Sequence, residues 1–155
     1  MSRWTTRGEE ETRALGTMLG RRLAPDGLLL VSGTLGAGKT VLAKGVAAAL
    51  EIDPAHVQSP TYTLMQRHHG PLGDFLHVDL YRLDPSQVEG IGLEEEISGP
   101  GIKLVEWPER LPSIPPEAVW IHIERGADDD ERVLTQHEAP PAGAPGRSPE
   151  GETRG

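Results

Sequence analysis

An α/β fold, with a buried strand feeding a glycine loop and then a helix, is predicted by three observations. Residues Gly33-Thr34-Leu35-Gly36-Ala37-Gly38-Lys39-Thr40 match the pattern G-x-x-x-x-G-K-[ST] at every fixed position. Leu28-Leu29-Leu30-Val31 just before it is an unbroken apolar run, as expected of a strand covered on both faces. Val41 to Leu50 just after it has helix-forming composition, with Leu42, Val46, Ala49 and Leu50 on one face. Strand, glycine loop and helix together are the context that a phosphate-binding loop requires. A chance glycine turn before a helix is the plain alternative, and the agreement of pattern with context disfavours it.

The chemistry of such a loop follows from its residue types. Gly33, Gly36 and Gly38 let the backbone turn without a Cβ in the way, so amide N–H groups can point at phosphate oxygens beside the positive end of a helix dipole. Lys39 would reach the β- and γ-phosphates, and the Thr40 hydroxyl would ligate Mg²⁺. The nucleotide-contacting residues are therefore expected to be Gly33, Leu35, Gly36, Ala37, Gly38, Lys39, Thr40 and Val41. The pattern implies a protein that binds a nucleoside triphosphate.

Composition bounds the rest. A chain of 155 residues suits one domain of ordinary size, expected here over 1–137. The formal net charge of −9 disfavours a large direct nucleic-acid footprint, though not a protein partner that itself holds RNA. The absence of cysteine excludes disulfides, thiolate metal sites and cysteine nucleophiles. Met1 to Thr6 leads into a charged run with no apolar signal core, and no segment approaches the ~20 apolar residues of a bilayer span, so a soluble cytoplasmic protein with no membrane role is expected.

Along the chain, Glu9 to Leu23 has Leu15, Met18, Leu19 and Leu23 at helical spacing, with Thr6 and Glu9 placed for a capping box. Pro25-Asp26-Gly27 is a turn into the loop strand. Tyr62, Leu64 and Gln66 alternate with polar neighbours, which suggests a strand with one wet face over Val57 to Leu64 and beyond. Ser59, Thr61, Tyr62 and Thr63 crowd hydroxyls there; the segment is either a γ-phosphate-sensing switch or an ordinary Thr-rich strand. Gly70-Pro71-Leu72-Gly73 is a hairpin turn, and His68 and His69 before it are expected to be a solvated loop pair, since no further ligand has metal-site spacing.

Two apolar runs then end in acids. Phe75-Leu76-His77-Val78-Asp79 delivers Asp79, a candidate for holding Mg²⁺ directly or through water, with helix capping as the alternative. Ile102-Lys103-Leu104-Val105 delivers Glu106, which faces the phosphate-loop crevice if the strands are parallel, as a Mg²⁺ ligand or an orienter of water. Pro108 stops that strand. The Glu-rich Asp84 to Ser98 has short helical patches, with Glu94-Glu95-Glu96 as a solvated face. Val119 to Glu124 alternates as an edge or penultimate strand with His122 exposed, and Glu131 to Leu134 is a last short strand. From about Glu138 the composition of Pro, Gly, Ala, Ser and charge offers nothing to bury, so 138–155 is expected to be a disordered tail.

Neither [NT]-K-x-D nor D-x-x-G follows the loop, which disfavours GTP; Arg67, Arg82 and Arg110 are scattered and form no kinase-like lid. A metabolite kinase and a nucleotide-gated binding module stay open beside a conformational ATPase. Four motifs then occur in order: Gly33 to Thr40, Ser59-Pro60-Thr61-Tyr62-Thr63-Leu64, His77-Val78-Asp79-Leu80-Tyr81-Arg82-Leu83 and Val105-Glu106-Trp107-Pro108-Glu109. From about Glu9 to Leu134 the chain resembles the bacterial TsaE (YjeE) family of ATPases, which supports threonylcarbamoyladenosine modification of tRNA.

That resemblance implies a P-loop NTPase core whose sheet mixes parallel and antiparallel strands. It implies binding and slow hydrolysis of ATP with Mg²⁺, and action on the partner proteins TsaD and TsaB, with tRNA met through them. By position, Lys39 and Thr40 match the family's loop residues, Asp79 its strand-end aspartate and Glu106 the acid of its Glu-Trp motif. Thr40 and Glu106 are then implied metal ligands with Asp79 close by, Ser59 and Thr61 nucleotide sensors, and Trp107 a neighbour of the active site. Glu106 or Thr61 would orient the attacking water. Thr34 stands where the family commonly has Asp, which removes a negative charge near the phosphates. No motif fixes the adenine contacts; residues near Glu9 and Arg132 are open possibilities.

Overall fold

A computed structural model describes residues 2–34, 38–58 and 64–137. Strands β1 (Arg3–Arg7), β2 (Leu28–Ser32), β3 (Met65–Gly70), β4 (Gly73–Asp79), β5 (Ile102–Glu106), β6 (Val119–Arg125) and β7 (Glu131–His137) form one sheet in the order β1-β7-β6-β2-β5-β4-β3. The centre of the sheet is parallel, β2 pairing with both β5 and β6, and β5 with β4. The margins are antiparallel, β1 on β7, β7 on β6 and β3 on β4, so the mixed sheet is as expected. Helices are α1 (Glu9–Leu23), α2 (Lys39–Ala49), α3 (Pro85–Glu89) and α4 (Leu93–Ile97).

Strand parity divides the core. Leu29 and Val31 of β2, Phe75 of β4, and Ile102 and Leu104 of β5 pack with Leu15, Leu42 and Val46 of α1 and α2. Leu28, Leu30, Leu76, Val78 and Val105 point the other way and pack with Val88, Leu93 and Ile97 of α3 and α4. The continuous apolar run of β2 has this double burial as its cause, since side chains of successive residues enter opposite layers. The same parity sends His77, Asp79 and Glu106 to the layer of α2.

Several expectations change. Arg3–Arg7 is an antiparallel edge strand and not merely a charged leader. Thr6 therefore caps nothing: its hydroxyl is 2.6 Å from that of Thr12, Gly8 is the N-cap of α1, and the Arg7 N–H donates to Glu11 Oε1 instead. The strand placed over Val57 to Leu64 begins only at Met65; residues 59–63 lie outside those described, so Tyr62 and the hydroxyl cluster are not located. His68 and His69 belong to β3 and not to a loop; His69 Nδ1 is 2.9 Å from Asp74 Oδ1 across the hairpin, and His68 stacks on Phe75. Strand β6 lies third from the sheet margin, inside β7, because β1 and β7 extend the sheet beyond it. His122 is consequently half-buried, with Nδ1 2.8 Å from Ser32 Oγ, and Ser32 in turn accepts the Trp120 indole N–H. The hairpin turn, α1, α2, the two Glu-rich helices and β7 are where the sequence predicts them.

Helices α1 and α2 approach closely through Gly16 and Gly45: a Cβ on Gly45 would lie 2.0 Å from the Arg13 carbonyl oxygen and 2.9 Å from Gly16 Cα. Gly45→Val should therefore cost about 1–3 kcal/mol or more, read by urea unfolding. Gly90→Ala, whose Cβ would meet nothing nearer than the Gln87 carbonyl at 3.7 Å, should change stability by less than about 0.5 kcal/mol in the same assay.

Candidate functional site

Parallel strands β2, β5 and β4 all end on one rim of the sheet, the position where open α/β sheets bind ligands. The chain leaves β2 through Gly33, whose φ of 146° and 2.2 Å approach of a notional Cβ to the Ile123 carbonyl oxygen leave no room for a side chain. It enters α2 through Gly38, a left-handed N-cap with φ 109°. Leu35, Gly36 and Ala37 lie outside the described residues, as do Ser59 and Thr61.

The first turn of α2 sets Lys39, Thr40 and Val41 at that rim. Lys39 is buried and donates to the carbonyl oxygens of Gly33, at 2.8 Å, and Thr34, at 2.7 Å. Its ammonium also lies 4.9 Å from the Trp107 ring centroid, within cation–π range. Burial pushes the Lys39 ammonium below the usual lysine range, while Glu106, Asp79 and Glu109 pull against that shift. The ammonium is thus held by the loop's own carbonyls, with the acidic Glu106, Asp79 and Glu109 acting on it.

Across from it, β5 delivers Glu106, only 3 % exposed. Glu106 Oε2 is 3.5 Å from the Thr40 hydroxyl and 2.5 Å from His77 Nε2. Asp79 stands opposite Glu106 in the β4–β5 register, and its Oδ1 accepts the Tyr81 N–H at 3.0 Å. The chain then turns sharply at Trp107, φ 60°, a left-handed conformation rare for a bulky residue and typical of functional rims. Pro108 follows in a short 3-10 turn, and Tyr81 rests on the Trp107 ring at 4.9 Å.

These groups share a cavity of about 620 Å³. Gly38, Lys39, Thr40, Val41, Asp79, Glu106 and Trp107 line it, together with Glu9, Thr12 and Arg132. The α2 residues, Asp79, Glu106 and Trp107 are thus brought together; Gly33 sits behind them through the Lys39 bond. Glu9 and Arg132, which no motif marks, line the same cavity. His77 is the functional-site residue that the sequence does not announce: the parity it shares with Phe75 and Asp79 is the signal that aims it at Glu106.

The donor set has a definite chemical character. Among the described residues no group of three or more His, Asp or Glu is arranged to hold a metal by itself. Thr40 and Glu106 offer hard oxygens side by side, with open cavity beyond them. That suits Mg²⁺, which takes one or two protein ligands and completes its shell with water and phosphate, and it does not suit zinc.

Comparison with known proteins agrees with the motifs. Residues 6–134 match the family model described as threonylcarbamoyl adenosine biosynthesis protein TsaE. The TsaE protein of Bacillus subtilis (strain 168) is 37% identical over 134 residues, covering 86% of this chain and 83% of that relative. The TsaE protein of Treponema pallidum (strain Nichols) is 36% identical over 133 residues, covering 84% of this chain and 97% of the relative. The crystal structure of B. subtilis YdiB superposes with a TM-score of 0.68 at 34% identity, over 87% of this chain and 83% of that one. The fold is that of a P-loop NTPase. On these matches, over nearly the whole described sheet and its helices, the chain belongs to the TsaE family of threonylcarbamoyladenosine biosynthesis proteins.

Proposed function

We propose that this protein binds ATP with Mg²⁺, hydrolyses it slowly, and uses that cycle to act on the TsaD–TsaB complex during threonylcarbamoyladenosine modification of tRNA. The observation that carries the reading is the meeting of Lys39 and Thr40, from the first turn of α2, with Glu106, from the end of β5, in one cavity. Residues 33 to 41 cradle the triphosphate, and Lys39 exchanges its two carbonyl partners for phosphate oxygens, regaining the charge stabilisation that burial denies it. Thr40 and Glu106 hold Mg²⁺, with Asp79 beside them; the metal supplies neutralisation of charge on the β- and γ-phosphates. Thr61 or Glu106 orients the attacking water, and Ser59 and Thr61 sense the γ-phosphate.

Hydrolysis on this reading is electrostatic, with Lys39 and the loop amides stabilising charge that develops on the γ-phosphoryl oxygens. A partner completes the site, which accounts for slow turnover by the chain alone. Trp107 lines the same cavity, with its ring beside the Lys39 ammonium. No helix among the described residues is long and apolar enough to cross a membrane, in keeping with a place of action beside tRNA in the cytoplasm.

Lys39→Ala should weaken ATP binding by about 100-fold or more, since charge-assisted bonds to phosphate are lost together; isothermal titration reads it. Glu106→Ala should lower the hydrolysis rate by about 100-fold while affinity for the nucleotide without metal stays near wild type. Equal, mild effects from both would contradict these roles. Added to purified TsaD–TsaB with ATP and tRNA, the wild-type chain should give repeated turnover of modification and the Lys39→Ala chain none. Turnover independent of either chain would refute the proposed cycle.

A further inference from the structure

His77 has no part in the chemistry above, yet it is the only fully buried ionisable side chain among the described residues that touches Glu106. Its ring is 0 % exposed and stacks near Phe75, with centroids 6.0 Å apart and planes inclined by 17°. Nε2 meets Glu106 Oε2 at 2.5 Å, while Nδ1 is buried with no hydrogen-bond partner among the described residues. A ring with one partnered nitrogen places its N–H there, so Nε2–H donates and the carboxylate oxygen accepts. Strand register makes this contact possible: Asp79 lies directly opposite Glu106, and His77, two residues earlier on the same face, reaches it diagonally.

We propose that His77 is a positioning residue that fixes the Glu106 carboxylate for Mg²⁺, an inference that rests on the nucleotide–metal reading above. A carboxylate oxygen has two lone pairs, so the imidazole bond to Oε2 occupies one and leaves the other, with all of Oε1, for the Thr40 side of the cavity. Packed between strand neighbours and Phe75, the ring cannot follow Glu106 into other rotamers. It thereby holds the carboxylate in the one orientation that faces Thr40. Hydrogen bonds of this kind to a ligating carboxylate typically alter metal affinity by about 10- to 100-fold.

The test compares His77→Leu, which fills the space without a donor, with His77→Gln, whose amide nitrogen reaches about where Nε2 stands. The readout is the Mg²⁺ concentration giving half-maximal binding of a non-hydrolysable ATP analogue to the full chain, with metal-free affinity and thermal unfolding measured alongside. His77→Leu should raise the Mg²⁺ midpoint by about tenfold or more, leave metal-free affinity within about twofold, and His77→Gln should recover most of the loss. An unchanged midpoint in His77→Leu, or a Gln chain no better than the Leu chain, overturns the proposal. Should His77→Leu not fold, His77→Asn replaces it, since its shorter amide cannot reach Glu106. Equal midpoints for Gln and Asn would then overturn the proposal, and a midpoint raised by about tenfold in Asn alone would support it. A wild-type chain that binds the analogue without any Mg²⁺ dependence defeats the nucleotide–metal reading itself, whereas Mg²⁺-dependent binding indifferent to His77 defeats only this inference.

Discussion

The approach of Glu106 to Thr40 is the constraint on which the site depends. One residue belongs to the first turn of a helix, the other to the last position of a strand, and 66 residues of chain separate them. They meet because β2 and β5 are adjacent and parallel, so the loop that leaves β2 and the acid that ends β5 arrive at the same rim. Antiparallel pairing at that position would have sent Glu106 to the opposite edge of the sheet.

Packing reinforces this placement. Parity along β4 and β5 commits Phe75, Ile102 and Leu104 to the layer of α2, and the residues that share their parity, His77, Asp79 and Glu106, are carried to the same side. A register slip by one residue would turn every one of them over and expose the apolar set as well. The hydrophobic layer therefore specifies the polar site: burial of the α2 face and delivery of the carboxylates are one structural event. At the rim itself the backbone leaves the regular elements through positive-φ residues, Gly33, Gly38 and Trp107.

Much of this was legible in the sequence because the informative signals are local. An apolar run ending in Glu106 and another ending in Asp79 identify strand ends without any tertiary knowledge, and the loop pattern fixes Lys39 and Thr40. What escaped depends on neighbours that a sequence does not name. Arg3–Arg7 is short and carries two arginines, so only its pairing with β7 makes it a strand. That pairing is also why β6 lies deeper in the sheet than its alternation suggests. The plain turn residues beside His68 and His69 point to a loop, yet the two-residue turn lets the strand run up to it. His77 looks like any polar residue interrupting an apolar strand; its partner lies 29 positions away. Glu9 and Arg132, which also line the cavity, come from segments far apart in sequence that the pairing of β1 with β7 brings side by side.

The central claim is that a hydroxyl on α2 and a carboxylate on β5 grip one metal beside a triphosphate. Anomalous diffraction from crystals grown with Mn²⁺ and a non-hydrolysable ATP analogue tests it most directly. The account predicts a metal peak bonded to both Thr40 Oγ1 and a Glu106 oxygen, at about 2.0–2.3 Å, with phosphate oxygens completing the shell. A nucleotide bound in the cavity with its metal held by neither residue would contradict it.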